Sequence, residues 1–591
     1  MKRVYMLIVS LACFTATFAT IYTGYCGAET DSLNVTWSLN TEDSTLTITG
    51  VGEMIDFLNY GPWHAYRDSI KNIYIGDSVT SIGESAFYAY KNVENVYLTD
   101  SIIRIGRSAF NNCGNLININ VPQNLISIGN SVFWGCKKIA SFVLPPRIES
   151  IGSQAFFSCQ SIDSIYIPER LKRIGDGAFA GCKKIKAFNI SPSNEAYMAI
   201  DGVLYSIARD TIVAFPCGKN ATEYTIPETV HHIYGYAFYG CGLRYVSLPP
   251  NLQTIGNSAF ASSYIRSVAI PDGTTDIGAG TFMECRDLAS VSIPSSIKTL
   301  KMNAFNGCSV LDSIVLPSSI TTINTQAFSG CKILCYVSLP DNLEVLADRA
   351  FYRCPLKRLS LPASLNSIGR ECFLGENLTC VRIRAKNPPY LKYENPFYFT
   401  DKNNTQIDTL YVSVGCEDSY RSDSIWAKLF TNIVAMSTVS DITETSAKLY
   451  WRPDTAVTLY KIDVYQNTTH IAHYEVDGNG HVISGPSGLP SIYHQKMDTT
   501  TSSTDYFVIS LGGLSAGTDY NYTIDGTNAQ NMSVYHEEGS FTTQSEPVPG
   551  LGITETPDDP RCARKILRNG HVFIIIGNET YTLQGQKIKD R

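Results

Sequence analysis

The chain has 591 residues, more than one hydrophobic core usually supports, so several domains or a repeat array are expected. Its composition is that of a globular protein, 44% hydrophobic and 17% charged, with 35 tyrosines. A net charge of −7 sets nucleic acid aside as the main partner.

Lys2 and Arg3 lead into an apolar run over residues 4–19. The run is shorter than the roughly 20 residues a membrane span needs, so a cleaved signal peptide over 1–28 is expected, cut after Ala19 or after Ala28. Cys13 as a lipoprotein acceptor is the lesser alternative. No later segment is long and apolar enough to cross a membrane, so none is expected in the mature chain. Residues 29–70 read as an N-terminal β cap: Val35, Trp37 and Leu39 alternate, as do Leu46 and Ile48, around a turn at 41–44.

A repeat fills residues 71–384. The phrase "SIG-x-x-AF" recurs, anchored at Phe87, Phe110, Phe133, Phe156, Phe179, Phe238, Phe260, Phe282, Phe305, Phe328, Phe351 and Phe373. The steps are 22 or 23 residues, with one of 59. From Phe110, one unit runs through Cys113, Leu116, an Ile119-Asn120-Val121 strand closed by Pro122, then Leu125, Ile128 and Gly129. No such unit buries its own apolar face, so the units must stack into a solenoid with a parallel sheet along one side. The 59-residue step holds one repeat and an insert at about 191–227, read as a hairpin of Val203-Leu204-Tyr205 and Thr211-Ile212-Val213 that widens the solenoid without breaking it.

Two rows follow from the register. Cys113, Cys136, Cys159, Cys182, Cys241, Cys285, Cys308, Cys331 and Cys354 each stand three residues after an anchor. Equivalent residues stack about 4.8 Å apart, too far for an unstrained disulfide, so buried free thiols are expected. The residues flanking the first strand aliphatic form the exposed row of the concave sheet. In the first coils these include Asn72, Tyr74, Asn95, Tyr97, Asn118, Asn120 and Tyr166, and later Ser267, Ala269, Ser290 and Ser292. The tyrosine and asparagine half is the candidate ligand-binding surface, because tyrosine gives large contact area at low entropy cost. Solvated strands favour tyrosine in any case.

These units resemble the BspA-type leucine-rich repeats of bacterial surface proteins. The "IDGVLY" phrase at 200–205 resembles that family too, as do the entry segment "STLTITGVGEM" and the exit segment "TLYVSVGCEDSYRSDSIWAKLFTNI". The resemblance spans about 33–434. It implies an α/β leucine-rich-repeat solenoid, mostly parallel β with a short helical or irregular convex side, on a surface protein whose role is adhesion. Residues 385–434 read as a C-terminal cap, with Ile425, Trp426, Leu429 and Phe430 on one helical face after Asp423. Residues 435–545 resemble an all-β, Ig-like fibronectin type III sandwich: Trp451 ends a strand, and Tyr520, in "LGGLSAGTDYNYTI", is the corner tyrosine. Residues 546–563 are a proline-rich linker, and 564–591 a β-hairpin tail turning at Gly577-Asn578. Its "YTLQGQKI" resembles the end of a type IX secretion sorting domain.

Motifs of catalysis are missing: there is no HExxH, CxxC, GxSxG or phosphate-binding glycine loop. His231-His232 sits at a repeat edge. His470 and His473 have i,i+3 spacing, which on a strand separates the two side chains, so no metal and no cofactor are expected. Three roles remain for a non-enzymatic, secreted or surface-displayed chain. The first is recognition of an extracellular host or microbial protein, the second glycan binding through Tyr74, Tyr97 and Tyr166, and the third a passive surface component.

Overall fold

The structure is a computed structural model. It describes residues 20–28, 33–375, 378, 380–393, 396–397, 409–413, 415–440, 442–443, 445–454, 456–466, 468–485, 493–499, 502–543, 563–568, 571–576, 579–582 and 587–588.

Each coil joins the next through backbone ladders. Asn72–Ile75 pairs in parallel with Asn95–Tyr97, and that strand with Asn118–Ile119. Alternation sends Ile73 and Ile75 inward and Tyr74 outward. A second parallel ladder runs through Arg104–Ile105, Ser127–Ile128, Ser150–Ile151 and Arg173–Ile174. At its edge the coils approach so closely that a Cβ on Gly129 would lie 2.8 Å from the Arg107 amide nitrogen.

The far side of the coil, expected to be helical or irregular, carries a ladder of its own. The amides of Ser85, Phe87 and Ala89 donate to the carbonyls of Arg107, Ala109 and Asn111 in the next coil, at 2.8, 2.8 and 2.7 Å. Ser85 and Ala89 take φ of 54° and 63°, and the same pair recurs at Ser108 and Asn112 and at Gln154 and Ser158. Left-handed residues on both sides of the phenylalanine turn the peptide planes so that alternate donors face the next coil. Among the described residues the repeats hold no α-helix; helices lie in the caps, a 3₁₀ turn at His64–Tyr66, and Glu417–Ser422 and Trp426–Leu429.

All twelve anchor phenylalanines are buried. Their rings stack coil on coil, with centroids between 4.9 Å for Phe238–Phe260 and 5.7 Å for Phe110–Phe133. The column also includes aromatics outside the repeat phrase: Trp63 on Phe87, Phe215 on Phe238 and Phe397 on Phe373, at 5.4, 5.3 and 5.7 Å.

The insert does more than widen the solenoid. It is three-stranded, Tyr197–Ile200, Val203–Ser206 and Thr211–Ala214. The sheets of the earlier coils end at Arg173–Ile174 and Phe188–Ile190, and Thr211–Ala214 of the insert opens the next parallel ladder by pairing with His232–Ile233. Leu204 and Val213 face the core of the earlier coils, whereas Val203, Tyr205 and Ile212 face that of the later ones. The expectation of an unbroken solenoid is therefore corrected: strands buried on both faces partition the core in two.

At the N-terminal end Val35–Asn40 and Thr45–Gly50 form the expected hairpin, and Thr45–Gly50 starts the parallel ladder. Ile21–Tyr25 adds an antiparallel strand to it, and Cys26 is buried beneath, so the range 1–28 read as a leader includes folded chain. Residues 1–19 lie outside the described residues. At the other end Asp423 Oδ1 accepts the amides of Ile425 and Trp426 and caps the short helix, which buries Trp426 and leads into buried Phe430.

The last parallel strand is Asn432–Ala435, and the antiparallel Ser437–Ser440 follows. Two antiparallel sheets, of four and five strands, then share one core containing Trp451, Tyr460, Phe507 and Tyr520. Tyr520 Oη accepts the Ser515 amide at 2.8 Å. In the tail, Ala563–Arg568, His571–Ile576 and Glu579–Thr582 pair in antiparallel order. The Gly577-Asn578 turn and most of the expected linker lie outside the described residues.

Candidate binding surfaces

The exposed row separates into two chemistries. Tyr74 and Tyr97 are register neighbours, 43% and 50% exposed, and Tyr166 is 50% exposed three coils beyond Tyr97. The asparagines do not offer free amides. Asn118 donates to Asn95, and Asn95 to Asn72, at 2.7 and 2.8 Å, which makes an amide ladder along the sheet. Asn120 turns back on its neighbour coil, where its amide oxygen accepts the Leu98 amide at 2.7 Å and its NH2 donates to the Leu98 carbonyl. Between Tyr97 and Tyr166 the row carries Val143, 70% exposed. Tyr245, 49% exposed at the start of a later strand, belongs to the same kind of surface; the sequence reading passed over it because the insert displaces its repeat phrase.

Farther along, the second domain covers the row. Arg382, on Cys380–Ile383, is buried and pairs with Asp454, which also binds Arg358 at 2.6 Å. The Arg382 guanidinium lies over the rings of Tyr535 and Tyr411, at 4.9 and 5.5 Å. Burial pushes the Asp454 carboxyl upward, but Arg382, the Ala456 amide and Arg358 together hold it below the usual carboxylate range. Beside this junction a cleft of about 240 Å³ opens between Ser338, Ser360 and Arg384 of the repeats and Asp525, Tyr535 and His536 of the second domain. Ser290 and Ser292 remain exposed.

The nine ladder cysteines are free and buried. Each thiol reaches the carbonyl of a phenylalanine of the stacked column in the coil before, for example Cys136 to Phe110 at 3.1 Å and Cys159 to Phe133 at 3.0 Å. Burial pushes the Cys113 thiol up to about 12 and that of Cys285 to about 11. That is the opposite of what a nucleophile or metal ligand needs. The insert adds Cys217, whose sulfur approaches Cys241 Sγ at 2.7 Å.

His231 and His232 stay at a repeat edge, with His232 Nδ1 2.9 Å from Thr254 Oγ1. For His470 and His473 the expected separation is corrected. Both rings reach Asp463, because a bulge resets the strand. No helix among the described residues is long and apolar enough to cross a membrane.

Comparison with known proteins fits this architecture. The family described as the BspA type leucine rich repeat region matches in six copies over residues 64–186, 213–334 and 298–409. The crystal structure of a leucine-rich repeat protein from Eubacterium ventriosum is 28% identical, with a TM-score of 0.52, covering 59% of this chain and 94% of that one. A leucine rich cell surface protein from Faecalibacterium prausnitzii is 23% identical, with a TM-score of 0.36, over 59% of this chain and 93% of its own. A leucine-rich repeat protein from Bacteroides ovatus is 24% identical, also at 0.36, over 68% and 97%. No curated protein matches the chain.

Proposed function

This chain belongs to the BspA-type leucine-rich-repeat family, and from that premise we propose that it is a secreted or surface-displayed binding protein for extracellular protein ligands. The recognition surface is the tyrosine-bearing row of the N-terminal repeats. One observation carries this placement: that row is open to solvent, whereas the row near Arg382 is closed off by the second domain. Adjacent coils set Tyr74 and Tyr97 about 4.8 Å apart, a spacing that lets an extended partner meet several side chains in series. Tyr166 and Tyr245 lengthen the surface. The asparagines hold the strands in place. The activity is binding without catalysis.

The second domain is read as fibronectin type III-like, supported by its two antiparallel sheets, buried Trp451 and the Tyr520–Ser515 corner. Export is read from the N-terminal leader. Cleavage after Ala19 is favoured over Ala28, since the later cut would remove the paired strand Ile21–Tyr25.

A panel of matrix and surface proteins, run beside a glycan array, tests the reading. Against a ligand so found, Tyr74→Ala and Tyr97→Ala should each weaken binding, by more than about 2 kcal/mol if the ring is a hot spot, at unchanged melting temperature. Ser290→Ala and Ser292→Ala should change little. Unaltered affinity in the tyrosine variants, or full affinity in residues 435–545 alone, would refute the placement. Hits confined to the glycan array would favour the tyrosines as stacking platforms for sugars.

A further inference from the structure

His470 and His473 lie three residues apart on Thr469–Asp477, where a period of two should send them to opposite faces. The strand breaks that period. Against Leu459–Gln466, Tyr465 faces His470 and Val464 faces Ala472, so Ile471 is the extra residue of a β-bulge. Both imidazoles thereby come to the outer face of the sheet, where Asp463 stands opposite His473. His470 Nε2 and His473 Nδ1 each lie 2.7 Å from one oxygen, Asp463 Oδ1. Glu475 Oε1 is 3.8 Å from the other nitrogen of His473, and the Tyr465 ring packs against His470 at 5.3 Å.

We propose that Asp463, His470 and His473 form a site for a divalent transition-metal ion of the zinc type, with its remaining position open to water or to a partner's ligand. Two imidazole nitrogens and one carboxylate oxygen are a donor set that zinc accepts, whereas calcium and magnesium take oxygen alone. The three ligand atoms already lie within 4.8 Å of one another. An ion about 2.0–2.2 Å from each needs the nitrogens and the oxygen to part by roughly half an ångström, a small side-chain rotation. Coordination through Nδ1 of His473 leaves its Nε2–H directed at Glu475, the carboxylate–histidine–metal arrangement that fixes ring and tautomer. The ligands come from two paired strands rather than a loop, so the site is largely organised before the ion arrives.

The test uses the full chain, free of any affinity tag and stripped with EDTA. Titration with ZnCl2 should show one equivalent bound. Co2+ should give visible ligand-field bands without the thiolate charge-transfer absorption that binding at a cysteine would produce. His470→Ala and Asp463→Asn should each weaken uptake by at least about ten-fold. Both side chains are on the outer face, so the melting temperature of the metal-free variants should stay near that of the parent. His481→Ala, which removes an exposed imidazole paired with Asp477, should leave binding unchanged. Uptake that survives the His470→Ala/His473→Ala pair, a thiolate band, or no saturable uptake would each overturn the proposal and leave the cluster as hydrogen bonds between histidine and aspartate.

Discussion

Cys136 shows what a repeated residue contributes. Its side chain fills a small apolar space, and its S–H meets the Phe110 carbonyl of the coil before, an acceptor that valine or alanine would leave without that donor. In the coil of Phe260, which has no cysteine there, Ser263 takes the position and is buried as well. The cysteine spacing alone was enough to expect a thiol column, but not the carbonyl partner, which depends on how the neighbouring coil turns. Burial raises the folded pKa of Cys136 well above the ordinary value of 9, and that of Cys113 to about 12. The sign follows: the neutral thiol is favoured by folding, so this contribution is fully present below pH 9. It is lost as pH rises from 9 toward 12. The protein is therefore expected to lose stability steeply over that window in denaturant melts. At neutral pH a thiol reagent should label Cys217 and Cys335, which are part-exposed, before any ladder cysteine, and the ladder after denaturant is added. Fast labelling of Cys136 in the folded chain would contradict this account.

The insert is the element on which a coarse sequence pattern and the structure part. Two of its strands were legible as short apolar runs on either side of a turn at 208–210, and the third was not, although Asp201-Gly202 between Ile200 and Val203 is a hairpin signal. What hid it is that all four residues of Tyr197–Ile200 are half-buried, with Tyr197 packed on one core and Met198 and Ile200 on the other, so no polar alternation marks an outside. The closure of the outward row near Arg382 is hidden for the opposite reason: a strand position exposed by register is covered by a domain far along the chain, which no local period reports. Gly202 allows a direct check. It has φ +75°, and a Cβ there would sit 2.6 Å from that of Ala187. Gly202→Ala should cost about 1–3 kcal/mol and lower the melting temperature. Gly240 has φ +67° but open space around it. Coils elsewhere place Asn112 or Ser158 at the equivalent left-handed position, so Gly240→Asn should cost less than about 1 kcal/mol. Equal losses at the two glycines would show that the packing of the insert against Ala187 is misjudged.

At the scale of the whole molecule, two carboxyls at the junction of repeats and second domain respond to burial in opposite ways. Asp454 is held ionised by Arg382 and Arg358. Replacing it with asparagine leaves Arg382 buried without its counter-charge, an arrangement that costs about 3–5 kcal/mol where it has been measured. Glu537 is also fully buried, but neither of its oxygens has a hydrogen-bond partner among the described residues. Desolvation therefore outweighs the attraction of Arg384 and Arg382, and its carboxyl rises to about 8. A raised folded pKa contributes stability that is complete below the ordinary value of 4.5 and is lost as pH climbs through about 8. The junction should accordingly be firmest in mild acid and loosen toward pH 8. Calorimetry between pH 4.5 and 8 should follow this as a falling transition temperature for the second domain, at constant ionic strength. Glu537→Gln keeps the shape and removes the titration, so its transition should be nearly flat over the same range. Asp454→Asn should lower the transition throughout, because that carboxylate is ionised over the whole window. A parent protein whose second-domain transition does not move between pH 4.5 and 8, or a Glu537→Gln variant that moves just as the parent does, would mean that this carboxyl meets water or a cation and does not govern how the two domains hold together.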